Sequence, residues 1–188
     1  MPLSLPNLLT LARIAAIPPA IALFYVPTSW ADWALLVLFI AAAITDWLDG
    51  HLARLWKEES AFGRFLDPIA DKLLVMALLL MLAATERLPE WAIIPAVAIL
   101  LREVLISGLR EFLAGINVSL PVSRLAKWKA AVQMTAIALL IVADHATPTL
   151  PIDLWGAVAL WLAAVLTVAS GWGYLRTGCR HIGAVGKK

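Results

Sequence analysis

Six long apolar runs, at residues 8–26, 30–48, 68–84, 91–112, 125–143 and 154–175, are separated by short polar breaks. A helix needs about 20 residues at about 1.5 Å each to cross a bilayer's hydrocarbon core. Each run therefore predicts one membrane-spanning segment. Hydrocarbon offers the backbone no hydrogen-bond partner, so each segment is expected to be helical. In the first run Pro18-Pro19 predicts an interruption, because proline donates no hydrogen bond and crowds the preceding turn. The breaks at 27–29, 87–89 and 144–151 carry turn-forming residues and read as short loops on one side. Residues 49–67 and 113–124, with both termini, fall on the other. The expected fold is all-α: a polytopic membrane protein of six transmembrane helices forming a single domain over residues 1–188.

Composition agrees with lipid as the solvent, at 62% hydrophobic and 15% charged residues, against about half and about a quarter in soluble domains. A net charge of +2 decides little, but the position of the charges does. Of the 15 Lys and Arg residues, only Arg87 falls on the side of the short loops. That bias places both termini and the longer loops in the cytoplasm, with the protein in the inner membrane. Trp30, Trp91, Trp155 and Trp172 fall near span ends, where an aromatic belt would lie. No basic region precedes the first run and Arg13 interrupts it, so a cleaved signal peptide is not expected. The single cysteine, Cys179, excludes an intrachain disulfide and any cysteine metal site.

The polar residues that do not fit a span concentrate between 46 and 71. Asp46, Asp49, Gly50, Ala53 and Arg54 follow i, i+3, i+4, i+7, i+8, one face of a helix. Asp67 and Asp71 are i and i+4, one face of the next. Two consecutive helices can thus direct four carboxylates at one another. Such carboxylates repel unless cations compensate them. An all-oxygen donor set suits Mg²⁺ or Mn²⁺, and four ligands suit a pair of ions, an arrangement that serves displacement at phosphorus. Gly50, Ala53 and Gly63 leave room for a ligand, and Arg54 is a fixed positive charge suited to phosphate. The structural alternatives are an N-cap role for Asp67 ahead of Pro68, interfacial roles for Asp46 and Asp49, and helix packing at the glycines. Taken together these leave the common face and the arginine unexplained.

The run resembles, at every fixed position, the signature D-x2-D-G-x2-A-R-x8-G-x3-D-x3-D of the CDP-alcohol phosphotransferases. The resemblance implies six transmembrane helices with cytoplasmic termini. It implies two divalent ions on Asp46, Asp49, Asp67 and Asp71, and a CDP-lipid site formed by Asp49, Gly50, Ala53, Arg54, Gly63 and Asp67. Asp71 would also be the catalytic base toward the acceptor hydroxyl. Similar proteins form homodimers, which carries over as an expectation.

Further stretches bear on the acceptor. The opening from Pro6 to Arg13, the run from Arg102 to Phe112 and the run from Ser123 to Met134 are similar to the branch that transfers a phosphatidyl group from CDP-diacylglycerol to glycerol 3-phosphate. Ala126 stands where that branch more often has glycine. Arg102 and Arg110, eight residues apart, are expected on one face, with Arg110 lying deeper in a functional or paired role, its partner a glutamate in the second case. With Arg124, Lys127 and Lys129 they form a basic wall suited to a phosphate dianion. Arg124 and Lys127 serve equally as orientation signals or contacts for anionic lipid heads. Arg13 either reaches the acidic site or snorkels to the interface. None of His51, His145 and His181 reads as a ligand. The alternatives are a sister enzyme using inositol phosphate, serine or another alcohol, and, from a different class, a divalent-cation transporter. Asp46 lies about 24 Å along its helix from Trp30, near the cytoplasmic face, which argues against a transport pathway at mid-bilayer.

Overall fold

The pair of prolines does interrupt the first apolar run. In the computed structural model α1 (Leu5–Ala15) ends and α2 (Ile17–Phe24) begins on either side of Ala16. Pro18 and Pro19 cannot donate to the carbonyls of Ile14 and Ala15, and regular bonding resumes with Ala20 N donating to Ala16 O at 3.0 Å. There follow α3 (Ser29–Trp56), α4 (Ala61–Ala84), α5 (Glu90–Gly115), α6 (Arg124–Val142) and α7 (Ile152–Val185), with a 3₁₀ turn at Ala143–His145. The structure describes residues 5–56, 61–116, 118, 124–145 and 150–185, without the side chains of residues 5, 6, 124 and 126, of several between 47 and 71, and of those beyond 178. No strand occurs among the described residues.

Four segments are long and apolar enough to cross a membrane: Asn7–Phe24, Ser29–Asp46, Glu90–Gly115 and Ile152–Gly178. The apolar part of α4, Lys72–Ala84, is shorter. The first turns of α6 carry Arg124, Lys127 and Lys129, which lower its hydropathy. Large apolar side chains stand outward, among them Leu101 (67% exposed), Ile94 (64%) and Val165 (60%). Such a surface belongs in lipid, so the chain is a membrane protein. The four tryptophans expected near span ends are all exposed.

The residues gather into two compact units. The first comprises Met1–Arg87 with Leu140–Ile152. In it α1 and α2 both pack against α3 and α4. Its core is one stripe of α4, namely Leu74, Val75, Leu78, Leu79 and Leu82, with Leu35 and Phe39 from α3. Those spacings are the buried face of a 3.6-residue period. The second unit comprises Leu88–Leu139 with Asp153–Lys188. Its α5 buries Ala92, Pro95, Ala96, Ile99, Ile106 and Leu113. The buried face of α7 is built largely of small residues, including Ala157, Ala163, Ala164, Ser170 and Gly171. Small residues let helices approach closely where lipid removes the usual hydrophobic drive.

At the end of α4 the chain turns through Glu86, whose φ of 58° lies in the left-handed region. A residue with a Cβ pays about 1–2 kcal/mol there. Glu86→Gly is therefore expected to raise stability by about 0.5–1 kcal/mol, after the extra freedom glycine gains in the unfolded chain. A higher thermal midpoint in detergent checks this; an unchanged or lower one means the turn does not strain Glu86.

Candidate active site

Two unbroken helices carry the acidic signature. Asp46, Asp49, Gly50, Ala53 and Arg54 all lie in α3, which runs 28 residues without interruption. Gly63, Asp67 and Asp71 all lie in α4. The helical register that the spacing requires is thus present on both. Gly63 is buried. The side chains of Asp49, Arg54, Asp67 and Asp71, and the surroundings of Gly50 and Ala53, lie outside the described residues. One alternative falls away: α4 begins at Ala61, so Asp67 sits inside the helix and is not its N-cap. Pro68 lies in the interior as well, where it cannot donate to the carbonyl of Arg64.

Asp46 has a partner that the sequence left open. Arg13 of α1 is only 2% exposed, and its Nη1 donates to Asp46 Oδ1 at 2.6 Å across 33 residues of sequence. Arg13 therefore reaches the acidic site, and a side chain so buried does not snorkel. The pair joins α1 to α3. Its aspartate side chain keeps 42% of its surface exposed, so the carboxylate remains open to ions from water. Among the described residues no group of three His, Cys, Asp or Glu side chains comes together to hold a metal, and Asp46 is the one signature carboxylate whose side chain is described. By donor chemistry, four aspartates offer only hard oxygen ligands, which fit Mg²⁺ or Mn²⁺.

The second unit holds a cationic cluster built around one acid. Arg102 Nη1 lies 3.1 Å from Glu103 Oε1, and Lys129 Nζ donates to the same oxygen. Arg102 Nη2 also donates to Ser170 Oγ at 2.9 Å, and its guanidinium lies over the Tyr174 ring at 6.0 Å. Glu103 thus links α5 to α6, while Arg102 links α5 to α7. Lys129 is buried, and two cations sharing one carboxylate leave a net positive charge. Arg110 departs from expectation, for it is exposed. Lys127 is exposed too, and the side chain of Arg124 lies outside the described residues. Beside Arg102 a groove of about 310 Å³ runs between α5 and α7, lined mostly by apolar side chains such as Leu101, Leu105, Val168 and Trp172.

A third polar cluster was missed from sequence. Asp32, 1% exposed near the start of α3, accepts from Arg87 Nη1 at 2.6 Å. His145 Nε2 lies 3.0 Å from its other oxygen. Arg87 also reaches Ile141 O at 3.3 Å and Asp144 Oδ2 at 3.3 Å, with its guanidinium 5.5 Å from the centre of the Phe24 ring. Asp32 is 14 residues from Asp46, about 21 Å along the helix, so this cluster is remote from the acidic site. The available signal was charge: an aspartate within an apolar run needs a cation, and Arg87 was the one cation assigned to that side.

Comparison with known proteins bears on the family. The family model for CDP-alcohol phosphatidyltransferases matches residues 3–169. A protein of Rickettsia typhi, CDP-diacylglycerol–glycerol-3-phosphate 3-phosphatidyltransferase, is 46% identical over 173 residues, covering 92% of this chain and 96% of that protein. Proteins of the same name from Cereibacter sphaeroides and Escherichia coli (strain K12) are 41% and 40% identical, covering 95% and 93% of this chain and 97% and 94% of theirs.

Proposed function

Because the chain belongs to the CDP-alcohol phosphatidyltransferase family, we propose that it transfers the phosphatidyl group of CDP-diacylglycerol to sn-glycerol 3-phosphate, giving phosphatidylglycerophosphate and CMP. The observation that carries this reading is the similarity, along nearly the whole chain, to enzymes named for that reaction. The eight signature positions, five in α3 and three in α4, support the site.

Asp46, Asp49, Asp67 and Asp71 hold two divalent cations, Mg²⁺ or Mn²⁺, whose charge offsets that on the attacking and leaving oxygens. Asp49, Gly50, Ala53, Arg54, Gly63 and Asp67 receive the CDP headgroup, and Arg54 meets its phosphates. Asp71 accepts the proton of the acceptor's primary hydroxyl. The freed oxygen attacks the β-phosphorus, the bond from that phosphorus to the bridging oxygen breaks, and CMP leaves with the electron pair. The acceptor's phosphate is assigned to Arg102, Arg110, Arg124, Lys127 and Lys129. Most of the acceleration comes from positioning and charge stabilisation.

The remaining expectations belong to the same reading. Six helices, counting α4 and α6, span the inner membrane as one domain, with both termini and the site at the cytoplasmic face. The acyl chains of the donor stay in lipid. The enzyme works as a homodimer.

The deciding experiment is CMP release by the purified protein in detergent, with CDP-diacylglycerol and Mg²⁺, comparing glycerol 3-phosphate, inositol phosphate, serine and no acceptor. Release with glycerol 3-phosphate alone, lost on chelation, is the expected result. Release with another acceptor keeps the family and changes the substrate. No release from folded protein overturns the reading.

A further inference from the structure

Three buried polar residues of α1 follow a three-residue spacing: Asn7 (5% exposed), Thr10 (0%) and Arg13 (2%). They make a polar stripe on a helix that packs against both α3 and α4, the two helices of the acidic signature. At the end of the stripe the Arg13 guanidinium meets Asp46 Oδ1 at 2.6 Å. A buried, unpaired guanidinium is costly and cannot escape by losing its proton. The pair is therefore a fixed part of the site, and the planar fork of arginine fixes direction as well as charge.

We infer that Arg13 is a positioning residue for the reaction: it holds Asp46 in one orientation and sets how strongly the acidic site draws its cations. The inference rests on the assignment of Asp46 as an ion ligand. Two effects of Arg13 pull in opposite directions. Its positive charge weakens cation binding through repulsion, and its grip on Asp46 keeps the bound ion where turnover needs it. A merely structural arginine would do neither.

The test measures Mn²⁺ binding to the purified full-length protein in detergent, from the free-ion electron paramagnetic resonance signal, alongside kcat for CMP release and the thermal midpoint. Arg13→Gln removes the charge and keeps a donor. Its half-saturating Mn²⁺ concentration is expected to fall at least about threefold, because a nearby like charge is gone. Its kcat is expected to fall at least about tenfold, because small displacements of a reacting group are expensive. Arg13→Lys keeps the charge and loses the fork, so Mn²⁺ binding stays within about twofold of wild type while kcat falls several-fold. Unchanged Mn²⁺ binding and kcat in Arg13→Gln, with only a lower thermal midpoint, overturns the inference. If Arg13→Gln does not melt cooperatively, Arg13→Lys decides: wild-type kcat there overturns the inference equally. Asp46→Asn separates this failure from that of the ligand assignment. Wild-type Mn²⁺ binding in Asp46→Asn removes the assignment and the inference together. Weakened binding in Asp46→Asn with an unchanged Arg13→Gln removes the inference alone.

Discussion

Asp71→Asn is expected to lower kcat for CMP release by about two to four orders of magnitude, the usual contribution of a positioned general base. Asparagine has nearly the shape of aspartate and keeps one oxygen for an ion, but it cannot take a proton from the acceptor hydroxyl at neutral pH. CDP-diacylglycerol binding should therefore survive, which separates loss of chemistry from loss of the site. The measurement is CMP release at saturating Mg²⁺ beside equilibrium binding of the CDP-lipid to the same preparation. Near-normal turnover would remove Asp71 as the base. Loss of lipid binding along with turnover would recast it as a ligand only.

The second large effect concerns stability. Arg87→Met leaves Asp32, 1% exposed, without its charged partner at 2.6 Å. Breaking a buried pair from one side costs about 3–5 kcal/mol, because the surviving charge stays desolvated. The double variant Asp32→Asn with Arg87→Met should recover much of that loss, since neither charge then remains. Asp144→Asn should matter far less, its side chain being 53% exposed and exposed pairs being weak. Thermal unfolding of the three variants in detergent checks the order. Equal midpoints for wild type and Arg87→Met would mean the cluster contributes nothing to folding.

Local pattern carried most of what could be read in advance. Apolar run length located the helices, the two prolines located the break at Ala16, and the i, i+3, i+4 spacing put the acidic residues on the right helices. Errors arose where a local rule met a longer-range constraint. A span was expected to open at Pro68, yet α4 starts at Ala61, because proline within a helix costs stability without forbidding it. Arg110 was expected to lie deep, yet it is exposed. Pairings distant in sequence, Arg13 with Asp46 and Arg87 with Asp32, were out of reach of periodicity. Charge balance alone could have proposed them. Glu103, shared by Arg102 and Lys129, shows that part of the basic wall's charge is already compensated.

The discontinuity of the first unit bears on how the protein is made. Its first 87 residues are followed by 52 that belong elsewhere before residues 140–152 complete it. At about 5–20 residues per second, translation separates Arg87 from its last acceptors by several seconds. During that interval Arg87 and Asp32 have been synthesised while Ile141, Asp144 and His145 have not. A nascent chain stalled before residue 140 therefore presents an unfinished polar cluster to the insertion machinery and to membrane proteases, although every residue of the acidic signature has already been made.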